Sequence, residues 1–224
     1  MADRVYKATP QRRPPPRPAG NLESMREIGK GLWHWTATHP RIGWEVSSYY
    51  LSSERVLIDP LLPPSGLEWF ADNDSIPAHV LLSCRHHDRA SWQFQKQFGT
   101  EVHCIDNGAY ALQGRGRVTT FTFGDELPGG VVACEVNSIS PDETALYIPD
   151  QRGLVCADGV IRDGDDSPLE FVPDSLMDDP ERTKAGLRAA FTTLLELDFD
   201  RLLLAHGRPI LTGGKQALAA FVQT

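Results

Sequence analysis

From Gly31 onward, short apolar and aromatic runs alternate with turn-forming clusters. Residues 31–37 (GLWHWTA), 46–51 (VSSYYL) and 56–59 (VLID) are rich in aromatic and β-branched side chains and are parted by Pro, Gly or Ser. That pattern predicts an opening set of antiparallel strands. Pro63-Pro64-Ser65 can start a helix with Leu67, Trp69 and Phe70 as its apolar positions, and residues 78–83 (AHVLLS) then read as a buried strand. A helix over 89–98, stopped by Gly99, and a strand over 101–105 complete a βαβ unit. In the second half, strands are predicted at 117–123, 130–136, 144–148 and 153–157, spaced as an antiparallel meander. An acidic loop follows from Arg162, and Asp179-Pro180-Glu181 has the capping carboxylate, first-turn proline and acid of a helix start. Its stripe of Leu187, Phe191, Leu194 and Leu195 predicts core packing as far as about Leu197. A strand over 201–205 and a final helix from Gly213-Gly214 end the pattern.

Length and charge narrow the picture. The chain has 224 residues, enough for one domain with tails. Its longest apolar stretches, such as Val80-Leu81-Leu82 and Leu202-Leu203-Leu204-Ala205, fall far short of the roughly 20 residues a bilayer requires, so no membrane span is expected. Residues 1–7 carry no apolar secretory segment, and the cysteines (Cys84, Cys104, Cys134, Cys156) form no C-x-x-C pair. Both features predict a cytoplasmic protein with reduced thiols. The net charge is -8, with +4 in residues 1–20 and therefore -12 in residues 21–224. So acidic a body repels nucleic acid and anionic lipid. Residues 1–20, rich in Pro and Arg, are read as a disordered leader and residues 21–224 as a single domain. Deleting residues 1–20 is expected to leave the melting temperature, read by circular dichroism, within about 2 °C.

Candidate chemistry gathers where apolar runs end. Three segments place polar, metal-competent groups directly after strands: 83–89 (SCRHHDR), 155–159 (VCADG) and 204–207 (LAHG). In an α/β fold such ends converge on one crevice, and imidazole and carboxylate suit a catalytic divalent ion. Other groups have plainer readings. His34, His39, His79 and His103 are expected to be structural or surface residues. Asp59 is expected to fix a turn or orient the His86 loop, and His87, alternating with His86, to face away unless the loop geometry reverses the pair. Asp163, Asp165 and Asp166 lack the full calcium-loop pattern and read as solvated. Trp33, Trp35 and Trp44 fit either an interface or the core. Phosphate-loop, G-x-S-x-G and G-x-G-x-x-G patterns are absent from the sequence.

The series Leu57-Ile58-Asp59-Pro60, the 83–89 cluster, residues 140–147 (SPDETALY), Ala157-Asp158 and residues 204–210 (LAHGRPI) resembles the metallo-β-lactamase superfamily from about residue 30 onward. The resemblance implies an α/β (α+β) fold, a four-layer αβ/βα sandwich with a two-metal site at one edge. The motif T-H-x-H-x-D-H falls on residues 83–89, so His86 and Asp88 match while Cys84 and Arg89 replace histidines. Ile139 stands where a further histidine is usual, with Asn137 and Ser138 beside it, and Asp158 and His206 are retained. The implied metal set is thus His86, Asp88, Asp158 and His206, with Cys84 joining only if ionised. The expectation is one ion of zinc, iron or manganese on Asp88, Asp158 and His206, activating water for hydrolysis of a small ester, thioester, lactone or amide. Asp158 or Asp88 would accept the proton, and Arg85 or Arg89 would hold an anionic substrate group. The alternative is a metal-free binding protein or pseudoenzyme in which Arg85, His86 and Arg89 recognise an anionic small molecule. Arg89, as a fixed positive charge, favours the second.

Overall fold

The computed structural model describes residues 25–164 and 167–224. Residues 1–20 and two members of the acidic run, Asp165 and Asp166, lie outside them.

The first strands, buried along most of their length from β2 to β4, build a seven-stranded sheet. Its spatial order follows the chain: β1 (Arg26–Gly29), β2 (Leu32–Thr38), β3 (Glu45–Leu51), β4 (Val56–Ile58), β5 (His79–Leu81), β6 (Glu101–Ile105) and β7 (Val118–Phe121). The strands from β1 to β4 pair antiparallel, and those from β4 to β7 pair parallel. Parallel neighbours need crossovers, which α1 (Glu68–Asp72), α2 (Ser91–Phe98) and α3 (Asp106–Ala109) provide. Gly99 ends α2 in a left-handed conformation (φ 73°), which explains why the helix stops there.

The second sheet is built from β8 (Glu126–Leu127), β9 (Val131–Glu135), β10 (Thr144–Ile148) and β11 (Gly153–Cys156), antiparallel in turn. A small hairpin of β12 (Ile161–Arg162) and β13 (Leu169–Glu170) then leads to α4 (Pro180–Leu194). Asp179 caps α4 by accepting the Arg182 backbone N–H at 3.1 Å. The strand β14 (Arg201–Leu204) returns parallel to β11, and α5 (Gly214–Phe221) follows. The predicted meander is corrected at one point: the strand expected at 117–123 belongs to the first sheet, paired with β6. Gly124 (φ 92°) then turns the chain into the second sheet, so short spacing there marks a passage between sheets and not a hairpin.

Period-two alternation divides the core into three layers of contact. Tyr49, Ile58, Leu81, Ile105 and Phe121 meet Val131, Ala133, Leu146, Val155 and Leu203 between the sheets. The opposite face of the first sheet, with Trp35, Tyr50, Leu57, Val80 and Val102, packs on Phe70 of α1 and Phe94 of α2. The opposite face of the second, with Ala145, Leu154, Leu202 and Leu204, packs on Leu187 and Phe191 of α4 and Leu218 and Phe221 of α5. Helix, sheet, sheet and helix make the four layers that the resemblance implies. Trp35 is fully buried and Trp33 packs edge-on to Trp69, so both are core aromatics, whereas Trp44 is 37% exposed. Among the described residues, no helix is long and apolar enough to cross a membrane.

Candidate functional site

The site is assembled from four strand ends at one edge of the two sheets, where carboxyl-terminal strand ends leave a crevice. Asp59 follows β4, Ser83 and Cys84 follow β5, Asp158 follows β11, and His206 follows β14. The chain after Cys84 does not continue as a strand but tightens into a 3-10 turn over Arg85–His87. The two sheets are stitched together beside it. The Ser47 N–H of β3 donates to Ala205 O at 3.0 Å, and the Ser47 hydroxyl donates to Gly207 O at 2.8 Å. Gly207 adopts φ 100°, and a Cβ there would stand 2.1 Å from the Arg162 carbonyl oxygen, so only glycine lets the His206 loop pass.

His87 occupies the middle of the site. Its Nδ1 lies 2.9 Å from Asp59 Oδ2 and its Nε2 lies 3.1 Å from Asp158 Oδ1. Asp59 also accepts the Ser83 backbone N–H at 2.8 Å and the Ser83 hydroxyl, and so orients the loop, though it holds His87 and not His86. His206 Nε2 reaches the same Asp158 Oδ1 at 2.9 Å. Donor atoms of Cys84, His87 and Asp158 all lie within 4.8 Å of one another. His206 Nδ1 is buried with no hydrogen-bond partner among the described residues.

Electrostatics follow from this packing. Burial opposes charge on His87, but Asp158 and Asp59, which occupy both ring nitrogens, outweigh it and raise its pKa well above the ordinary histidine value. Burial alone would raise the Asp158 carboxyl, yet His87 and His206 hold it well below the usual range. Asp59 is held down in the same way by His87 and Arg89. Burial pushes the Cys84 thiol up against the opposing pull of His87, so the sulfur keeps its proton. His39, buried near this cluster, is pushed down by its burial and then by Arg89 and Arg41, which favours the neutral ring.

Other residues singled out from the sequence lie elsewhere. His86 is exposed. Asp88 is buried, but it accepts the Trp92 indole N–H at 2.7 Å and pairs with Arg115. Arg85 is held by Asp142 through its backbone N–H at 2.6 Å and through an ion pair, and its guanidinium sits 5.8 Å from the Tyr110 ring centre. The 3-10 turn is the cause: it rotates about 120° per residue, so the side chain that shares the inward direction of Cys84 is three residues along and not two. Thus His87 turns inward where His86 was expected, and Asp88 turns to α2. Arg89 (φ 34°) lies behind Asp59, its Nη1 donating to Ser47 O at 2.6 Å and Asp59 O at 2.7 Å. Ile139, at the missing-histidine position, packs against the core and supplies no ligand atom beyond its backbone. The cue for His87 was Asp59, a carboxylate at a buried strand end needing a partner.

Three donors lie close enough to share a metal ion, the Cys84 thiol, the His87 imidazole and the Asp158 carboxylate, with His206 against the same Asp158 oxygen and a second carboxylate behind His87, as metal-ligating histidines commonly have. A charge-balanced arrangement of His87, Arg89, Asp59 and Asp158 also exists without one.

No protein-family model and none of the curated proteins matches the chain in sequence. Solved structures do. A metallo-β-lactamase from Pontibacter korlensis superposes with a TM-score of 0.67 at 15% identity, covering 90% of this chain and 99% of that one. The rubredoxin oxygen:oxidoreductase of Desulfovibrio gigas matches with a TM-score of 0.64 at 13% identity over 89% of this chain. This chain spans only 61% of that protein's length. The protein TTHA1623, solved in a di-iron-bound form, matches with a TM-score of 0.57 at 21% identity, covering 88% of this chain and 94% of that one. With its two facing sheets, helices on both outer surfaces and polar strand ends at one edge, this chain has the metallo-β-lactamase fold.

Proposed function

We propose that the protein is a hydrolase working with one divalent metal ion, held by Cys84, His87, Asp158 and His206. The observation that carries this reading is the approach of Cys84, His87 and Asp158 donor atoms to within 4.8 Å, with the far nitrogen of His87 gripped by a carboxylate. The ion would supply Lewis acidity, polarising a substrate carbonyl and acidifying a water. Asp59 fixes the ring of His87 so that Nε2 faces the site. His87 and His206 share Oδ1 of Asp158, so its Oδ2 is the atom assigned to take a proton. Substrates are small esters, thioesters, lactones or amides carrying an anionic group. A cavity of about 210 Å³ lined by Arg26, His34, Arg162 and Arg208, of which Arg208 lies two residues beyond His206 in the chain, supports that choice. The acidic body of the chain favours such a small molecule over nucleic acid. The four cysteines are free thiols, which supports a reducing compartment such as the cytoplasm.

A second reading has its own observation. Both nitrogens of His87 already meet carboxylates, and Arg89 adds a further positive charge, so the site is balanced without a metal. The protein would then bind an anion in the arginine-lined cavity and catalyse nothing.

Metal analysis of protein purified without chelator separates the two. Under the first reading, wild-type protein carries an equivalent that His87→Ala and Asp158→Asn lose, while His86→Ala keeps it. Cys84→Ala weakens it less than Asp158→Asn does, because the thiol must first give up a proton. Asp59→Asn is expected to weaken metal affinity about 10–100-fold by loosening His87. Identical metal content in wild type and His87→Ala would remove the assigned site.

A further inference from the structure

A second cluster of ligand-type side chains lies at the other end of β5, far from the strand end that carries Cys84. His79 is paired in register with Glu101, and His103 stands two residues along β6 on the same face. His79 Nδ1 and His103 Nε2 are 3.1 Å apart, and each is 3.6 Å from Glu101 Oε2. Thr119 of β7 donates its hydroxyl to the other oxygen, Glu101 Oε1, at 2.9 Å, which turns Oε2 toward both rings.

We propose that His79, Glu101 and His103 form a second metal site, for a divalent transition ion such as zinc, at the opposite end of the first sheet from Cys84 and His87. The three separations fix a point about 2.0 Å from all three donor atoms, the length of a zinc–nitrogen or zinc–carboxylate bond. Two imidazoles and a carboxylate are a donor set for zinc, cobalt or nickel, and a fourth position stays open to solvent because Glu101 is half exposed. The ligands come from two neighbouring strands and the Thr119 contact from a third, so the ion would clamp β5 to β6 at the end of the sheet that the catalytic candidate leaves alone.

The test uses the full chain, stripped of metal by chelation and then titrated with zinc in a calorimeter, with cobalt absorption as a second readout. Wild type, His87→Ala, His79→Ala and His103→Ala are compared. His87→Ala is expected to keep one equivalent, and His79→Ala and His103→Ala to bind that equivalent at least tenfold more weakly. Zinc should also raise the melting temperature of His87→Ala and leave that of His79→Ala/His87→Ala unchanged. If His103→Ala fails to fold, His79→Ala, at a half-buried position, decides. Zinc affinity and stoichiometry unchanged in His79→Ala would overturn the proposal, leaving two rings that merely hydrogen-bond each other. Failure of the Cys84–His87 site shows differently: His87→Ala would then match wild type while His79→Ala lost all binding.

Discussion

Arg89→Leu is expected to lower the free energy of unfolding by about 3–5 kcal/mol, the usual cost of removing one partner from a buried ionic cluster. Its Nη1 donates to the carbonyls of Ser47 and Asp59, at 2.6 and 2.7 Å. Leucine leaves both oxygens without that donor, and it strips a cation from beside Asp59 and Asp158. Burial lowers the Arg89 pKa, but guanidinium stays charged at any working pH, so the lost charge is a whole one. Urea denaturation at pH 7 measures the difference, and a melting temperature lower by about 10 °C or more should accompany it. A loss below about 1 kcal/mol would mean that the carboxylates do not depend on Arg89. Added zinc distinguishes the two functional readings in the same variant. If Cys84, His87, Asp158 and His206 take a metal, zinc replaces the missing positive charge and restores part of the stability, and more than it restores in Arg89→Leu/His87→Ala. If they do not, zinc acts equally on both. Arg89→His follows the same logic with a smaller side chain: stability falls without metal and recovers with zinc or manganese.

Glu143 is expected to make the protein less stable as pH rises from about 4.5 to 7. The side chain is buried, with Oε1 accepting the Gly159 N–H at 2.7 Å and Oε2 the Ile139 N–H at 3.1 Å. Burial, reinforced by the nearby Asp158 charge, outweighs those two donors and raises its pKa from 4.5 to about 7. A carboxyl whose folded pKa exceeds its unfolded one gains a proton on folding. Its stabilising contribution is therefore complete below the unfolded pKa and is lost as pH climbs through the folded one, by about 3 kcal/mol across the window. Asp59 and Asp158 do not mask this, because their lowered pKa values place their effect below pH 4. Urea curves for wild type and Glu143→Gln at pH 5, 6, 7 and 8 report it. Glutamine sets an amide against one backbone N–H and so adds a constant offset, but the difference between the two proteins should shrink or reverse with pH. A difference that stays flat from pH 5 to 8 would show Glu143 ionised throughout.

Apolar runs by themselves located most of the strands, and the polar motifs at their ends carried the resemblance that implied the sandwich. Residues 46–51, 101–105, 144–148 and 201–205 each carry one face for the neighbouring sheet and one for a helix, but a run such as 201–205 is apolar on both faces, so its sequence marks a buried strand without saying which face meets which layer. The same local logic placed Asp158 and His206 at strand ends, because an apolar run that stops at a polar group marks the edge of a sheet. Tertiary structure alone decided the rest. Whether residues 117–123 joined the first sheet or the second depended on pairing with β6 across a crossover, which carries no local signal. Which of His86, His87 and Asp88 faced inward depended on the turn after Cys84, where a change from two residues per repeat to three moves the inward position by one. Asp59, 28 residues away in sequence, selected His87 by hydrogen bonding its Nδ1. His79 and His103 looked like unrelated histidines until parallel pairing set them 3.1 Å apart. A side chain's periodicity is a property of its own segment, whereas its partner is fixed by the packing of segments remote in the chain.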